Sequence, residues 1–367
     1  MSNITAIGTA NPPHRFRQSQ LADFMVKAMQ LSQQDSRKLR KVFNASGIDY
    51  RYSVLEDYGL ERDYTFYANT PDFEPFPSTA KRLKLFRENA LNLSLTAVQN
   101  MLQEIPEFNL QEITHLVIVC CTGMYAPGLD IDLVKKLNLP TSVQRIGINF
   151  MGCYAAFNAF KVADAFCQTD NKAKVLLVCT ELCSLHFQKE PTEDNLISNA
   201  LFADGAAAVL VEAQTTASLR LKPENFCSDL VIGSEKEMAW AIGDLGFEMK
   251  LSTYVPSIIK SGILKLTTTL LEKISKNLSD VRFFAIHPGG RKILESIEQE
   301  LGLNKDQNEP AYHVLKNYGN MSSPTVLFVL REIIKKLTPH DHGEHILSFA
   351  FGPGLTLESM ILKIEMD

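Results

Sequence analysis

Short, β-branched apolar runs bounded by turn residues recur along the chain: THLVIVCCTG, AKVLLVCTE and DGAAAVLVEA in the first half, VRFFAIHPGG, EHILSFAFGPG and TLESMILKI in the second. Runs of this length and composition predict buried strands. Between them lie CYAAFNAFKVADAFCQ, VPSIIKSGILKLTTTLLEKI and GRKILESIEQEL, with apolar residues at helical spacing. Strands and helices mixed in this way read as an α/β protein. The two halves echo each other: in each, an apolar strand runs into a turn, helices follow, and a Gly-rich strand pair lies near the end. This predicts a duplicated architecture, with halves 1–215 and 216–367 meeting within 213–225. Residues 33–84 are more polar, and DSRKLRKVF and PDFEPFPSTAKRLKLFR predict helices and loops laid over the core.

Composition narrows the function. The 367 residues, 45% hydrophobic and 22% charged, are ordinary for a globular protein with room for two domains. A net charge of −5 gives no global basic field, so nucleic acid is an unsuitable partner and an anionic ligand would need a local basic patch. The opening MSNITAIGTANPPHR lacks a basic segment followed by an apolar one, and no apolar run is long enough to span a membrane. No membrane insertion is expected, and the protein reads as cytoplasmic. Seven cysteines, at 120, 121, 153, 167, 179, 183 and 227, are scattered through apolar segments without a CxxC pair, the pattern of reduced thiols. His340, His342 and His345 in PHDHGEHI fit no standard ligand spacing, so this segment reads as an exposed turn and no metal is expected.

Three positions carry candidate chemistry. In INFMGCYAAFNAFKVADAF, a strand ending at the Gly152 turn with a helix starting at Cys153 would place the thiol at the positive end of the helix dipole, where a thiolate is stabilised. The small residues of that helix also suit close packing, so this stretch alone leaves a structural reading open. His287 follows an apolar strand and precedes Pro288, Gly289 and Gly290, a place where an imidazole can be held facing a pocket. A core histidine bonded to a carbonyl is the alternative. Asn320, before two serines and a proline that open an apolar helix, can have its amide aimed by the helix start or can simply cap it.

Taken together, these stretches resemble the type III polyketide synthases, the chalcone synthase-like branch of the thiolase-fold condensing enzymes. The resemblance is carried by AIGTANPP, CCTGMYAPGLD, GCYAAFNAFKVA, CTELCSLHF, ALFADGAAAVLV, HPGGRKIL, YGNMSSPTVLFVL and FGPGLTLESMIL. It implies a thiolase-like, duplicated α/β/α/β/α five-layer fold and a homodimer. It also implies iterative decarboxylative condensation of malonyl-CoA onto an acyl-CoA starter, with CoA thioesters as substrates and no cofactor. The family's nucleophilic cysteine, histidine and asparagine fall on Cys153, His287 and Asn320.

The same resemblance nominates a substrate cavity. Phe202 matches a family phenylalanine where the CoA tunnel meets the cavity, and a second such phenylalanine is replaced by Met249. Trp240 stands where plant relatives usually carry glycine, and Cys121, Cys183 and His186 where small hydroxyl residues are common; Ser322 completes the set. A basic segment that contacts CoA phosphates in relatives falls on Lys38 and Lys41, while a further family lysine falls on Ala45. An aliphatic starter giving an alkylpyrone or alkylresorcinol is the expected outcome. The competing readings are a single-condensation β-ketoacyl-ACP synthase III, a papain-like cysteine hydrolase and a non-catalytic thiolase-fold subunit.

Overall fold

The computed structural model describes residues 2–367. Its strands are β1 (Asn3–Ala10), β2 (His14–Arg17), β3 (Tyr50–Ser53), β4 (His115–Cys120), β5 (Gln144–Asn149), β6 (Lys174–Leu182), β7 (Asp204–Glu212), β8 (Leu219–Leu230), β9 (Met238–Gly243), β10 (Gly246–Leu251), β11 (Phe283–Ile286), β12 (His345–Gly352) and β13 (Thr356–Met366). Nine of them form one sheet in the order β11-β12-β13-β8-β1-β7-β6-β4-β5.

The duplication expected from the apolar runs is written in the strand directions. In the first half β4 lies parallel to β6, β6 antiparallel to β7, and β7 antiparallel to β1. In the second, β11 lies parallel to β12, β12 antiparallel to β13, and β13 antiparallel to β8. Only β5, parallel to the outer edge of β4, has no counterpart. The half-sheets join between β1 and β8 through the Ile4–Leu221 pair.

Alternate residues of the first half-sheet enter different cores, as a two-residue side-chain period requires. In β6, Val175, Leu177 and Cys179 share a core with the helix Ala155–Thr169, whereas Leu176 and Val178 face the helix Thr79–Leu102 on the other side. The helix Ala155–Thr169 touches β4 to β7 and also β13, and the helix Thr325–Ile334 touches β1 and β7 as well as β11. These two helices form the middle layer. The helix Thr79–Leu102 covers the first half-sheet, and the helix Val255–Glu272 covers β8 and β13, which completes five layers.

The apolar runs did not show β1, β2 or β3, nor β8 and the β9–β10 hairpin. β8 contains Pro223 and polar residues, and the proline sits where the register with β13 shifts between Ile361 and Leu362, a bulge that tolerates the missing N–H. The β9–β10 hairpin has short strands in which exposed Ala241, Ile242, Glu248 and Lys250 mix with buried Met238, Phe247 and Leu251, so neither strand reads as a buried apolar run. Of the three clustered histidines, His340 and His342 lie in and just after the turn Pro339–Asp341, where His342 Nδ1 accepts the Met366 N–H at 3.0 Å. His345 begins β12 and meets Glu224 at 3.0 Å. All seven cysteines are free thiols.

The outer layer approaches β1 so closely that a Cβ at Gly8 would overlap Met101 N and Ala97 O of the helix Thr79–Leu102. Both are backbone atoms and cannot turn aside. Gly8→Ala is therefore expected to destabilise the fold by about 1–3 kcal/mol, read as a lowered midpoint in urea; an unchanged midpoint would contradict this packing.

Candidate active site

The two halves meet where their strands run out. After β5, Phe150 and Gly152 both take left-handed backbone angles, φ 59° and 76°. Gly152–Tyr154 form one tight turn before the helix Ala155–Thr169 begins. The α-helix thus starts two residues later than expected, and Cys153 lies in the turn that feeds it. A Cβ at Gly152 would overlap the Pro353 ring, and one at Gly352 would lie 2.6 Å from Tyr154 Cδ1. Glycines at both positions let the cysteine turn lock against the Gly352–Leu355 turn of the other half.

Asn320 reaches the thiol from the second half. Its backbone N–H donates to Leu201 O at 2.9 Å and its carbonyl accepts from Ala203 N at 2.8 Å, so it brackets Phe202 in a parallel bridge. The side chain is equally fixed: Oδ1 accepts the Ser322 N–H at 2.8 Å, and Nδ2 donates to Gly289 O at 3.3 Å. The Cys153 thiol points at Oδ1, with Sγ 3.9 Å away. His287 follows β11, its N–H donating to Phe349 O at 2.8 Å, and its carbonyl accepts the Gly289 N–H at 2.9 Å. The imidazole is 1% exposed, yet neither ring nitrogen has a partner.

This electrostatic state differs from the expected stabilised thiolate. Burial pushes the Cys153 thiol up to about 12, with contacts to Ser322 and Asn320 opposing the shift, and burial alone holds His287 down at about 3. Without a charge to compensate desolvation, both groups rest neutral, and the helix dipole is too weak to reverse that.

A functional-looking residue absent from the expectations is Glu181, at the end of β6. It is fully buried and accepts bonds from Cys121 N at 2.9 Å, Thr122 Oγ1 at 2.7 Å and Ser323 Oγ at 2.7 Å. Burial raises it to about 7 despite these donors, and its charge opposes ionisation of Cys153. A glutamate inside the otherwise apolar run KVLLVCTEL was the sequence signal.

The nominated cavity residues separate into two groups. Cys183, His186, Phe202, Trp240 and Met249 line one narrow cavity of about 40 Å³. Trp240 and Met249 are direct partners across the β9–β10 hairpin, so the two departures from the family pattern sit side by side. Trp240 Nε1 donates to Cys121 O at 2.9 Å. His186 donates from Nε2 to Thr122 O at 2.7 Å and accepts the Phe247 N–H on Nδ1 at 3.0 Å, stacking on that ring at 4.2 Å. With burial holding it near 3, it is a neutral, satisfied wall residue. Cys121 and Ser322 instead lie by the thiol: Cys121 Sγ accepts the Gly152 N–H at 3.1 Å, and Ser322 contacts Cys153.

A second, wider cavity of about 280 Å³ runs between the helices Gln33–Ala45 and Glu193–Leu201 to the Gly289–Arg291 turn. Ala45 and Ser46 line it; Lys38 and Lys41 do not, standing exposed earlier on the same helix, with Lys38 paired to Asp35 at 3.2 Å.

Comparison with known proteins decides the family. The profile described as "Chalcone and stilbene synthases, N-terminal domain" matches residues 1–215, and its C-terminal companion matches residues 225–365. The chain belongs to the type III polyketide synthases. Among curated relatives of this family, the alpha-pyrone synthesis polyketide synthase-like Pks18 of Mycobacterium tuberculosis is 30% identical over 367 residues, covering 98% of this chain and 91% of that one. Probable polyketide synthase 1 of Dictyostelium discoideum is 30% identical over 369 residues, covering 99% of this chain and 11% of that one. Among solved structures, the C-terminal type III polyketide synthase domain of Dictyostelium Steely1 superposes with a TM-score of 0.91 at 28% identity, covering 100% of this chain and 99% of that one. PKS-I of the brown alga Ectocarpus siliculosus does so with a TM-score of 0.90 at 30% identity, covering 99% and 98%. These type III polyketide synthases share the thiolase-like fold, and the chain is accordingly an acyltransferase that acts on CoA thioesters. The competing hydrolase, single-condensation and non-catalytic readings are thereby set aside.

Proposed function

We propose that Cys153, His287 and Asn320 are the catalytic residues, with Cys153 carrying an acyl-CoA starter that malonyl-CoA extends. The observation that carries this is the Cys153 thiol of one half with the Asn320 side chain of the other 3.9 Å from it, that amide being bonded in turn to Gly289 O, two residues after a buried His287 whose ring nitrogens have no partner. The repeated strand order supports taking residues 1–215 and 216–367 as the two units.

Loading begins with Sγ attacking the starter thioester carbonyl. Because thiol and imidazole both rest neutral, the thiol proton passes to His287 as the carbon–sulfur bond forms, and CoA leaves as its thiol with that proton. Malonyl-CoA then loses carbon dioxide. The electron pair of the broken carbon–carbon bond moves onto the thioester carbonyl as an enolate, which needs preorganised donors. An Asn320 Nδ2 hydrogen remains after the bond to Gly289 O, and a protonated His287 nitrogen supplies the other donor. The enolate carbon attacks the Cys153 acyl group, the carbon–sulfur bond breaks with its electron pair on Sγ, the resulting thiolate takes a proton from solvent, and the chain leaves two carbons longer on CoA. These steps move electron pairs among carbon, sulfur and oxygen, and they call for neither a metal nor a redox cofactor.

The wider cavity, ending at Gly289, is suited to the pantetheine arm, with Lys38 and Lys41 nearer the CoA phosphates. The name of the mycobacterial relative favours closure to an α-pyrone, and an aliphatic starter is our own assignment. β5 pairs only with β4 and leaves a row of backbone groups on its other edge, the edge we assign to a homodimer. No helix among the described residues is long and apolar enough to cross a membrane. We place the enzyme in the cytoplasm.

Two variants test the assignment. Asn320→Ala is expected to lose malonyl-CoA decarboxylation by about 10²- to 10³-fold while Cys153 still accepts an acyl group; decarboxylation within about threefold of wild type would refute the donor role. Trp240→Gly removes an indole from the narrow cavity and is expected to shift products toward further malonyl extensions or bulkier starters. A lowered thermal midpoint with unchanged products would show that the indole is only a packing and hydrogen-bonding anchor for Cys121.

A further inference from the structure

The narrow cavity contains two polar groups that the condensation steps do not use. Arg51 is 4% exposed and Ser198 7%, and both line it together with Phe202, Cys183, Trp240 and Met249. The guanidinium donates from Nε to Gln18 Oε1 at 2.9 Å and from Nη1 to Phe202 O at 2.6 Å, both neutral acceptors. Nη2 has no partner, and neither has Ser198 Oγ. Asp204, the acid that acts on Arg51 electrostatically, is already engaged by Ser184 and the Val54 N–H. Burial lowers Arg51 only to about 10, so it remains a cation at neutral pH.

A buried cation with unused N–H bonds, in the wall of the same cavity as a hydroxyl with no partner, is costly unless an oxygen acceptor enters. We propose that Arg51 Nη2 and Ser198 Oγ bind a ketone oxygen of the growing chain, holding it in the cavity that Trp240 and Met249 narrow. This rests on the polyketide synthase reading of Cys153. A β-keto chain carries an oxygen on every second carbon, and on enolisation those oxygens take on negative charge, which a guanidinium recognises. A saturated chain of equal length offers no acceptor and leaves both donors unpaired. The same guanidinium holds the carbonyl of Phe202, whose backbone pairs with Asn320, so the anchor is rigidly tied to the reacting centre.

Acetoacetyl-CoA and butyryl-CoA, equal in length and different by one ketone, separate the possibilities as starters with malonyl-CoA as extender. The ratio of their kcat/KM values is expected to fall about 5- to 10-fold in Ser198→Ala, whose lost hydroxyl has no protein partner, and at least as far in Arg51→Lys. Should Arg51→Lys fail to fold, Ser198→Ala alone decides. A ratio within about twofold of wild type in Ser198→Ala, with both starters still extended, overturns the anchor, leaves the synthase reading standing and makes the two groups a water site only. If wild type extends neither starter, the anchor falls, while the synthase reading stands or falls on acylation of Cys153.

Discussion

The site depends on a short backbone bridge between the halves. Asn320 donates to Leu201 O and accepts from Ala203 N, so the residue that approaches the thiol is fixed by two backbone hydrogen bonds to the other half. Each is worth about 1 kcal/mol net, but their geometric effect is larger: sliding one half against the other would break both and withdraw the amide from Cys153. The Gly152 and Gly352 turns add a second lock a few residues away, where any side chain would overlap Pro353 or Tyr154. The site is therefore a product of duplication, with one contribution from each copy held at the seam.

Burial is the second constraint, and it acts on every ionisable group near the thiol. Cys153 is pushed up, His287 and His186 are pushed down, and Glu181 is raised to about 7 while three donors hold it. In such an environment, charge is created only as chemistry requires it and is met by donors already aimed. The unpartnered nitrogens of His287 and Arg51 are the unfilled half of that arrangement, fixed in place before any acyl group arrives.

Much of this was legible in the chain. The apolar runs gave most of the strands of both half-sheets, because a strand covered on both faces must be apolar throughout. Cys153, His287 and Asn320 stood out because each lies where a strand or helix ends, and the structure brings Asn320 to Cys153. Less visible were groups whose environment is made by distant segments. Trp240 and Met249 become neighbours only through the β9–β10 register, and Arg51 looks like any surface arginine until Gln18 and Phe202 close over it. The helix dipole argument for a thiolate at Cys153 failed for the same reason, since local position says nothing of how deeply the rest of the fold buries the sulfur.

The central claim is that Cys153, alone among seven cysteines, carries the growing chain. Incubation with an acyl-CoA starter followed by peptide mass mapping tests it most directly. The account predicts one acylated peptide, that containing Cys153, and its disappearance in Cys153→Ala. Acyl label on another cysteine, or label undiminished in Cys153→Ala, would contradict it.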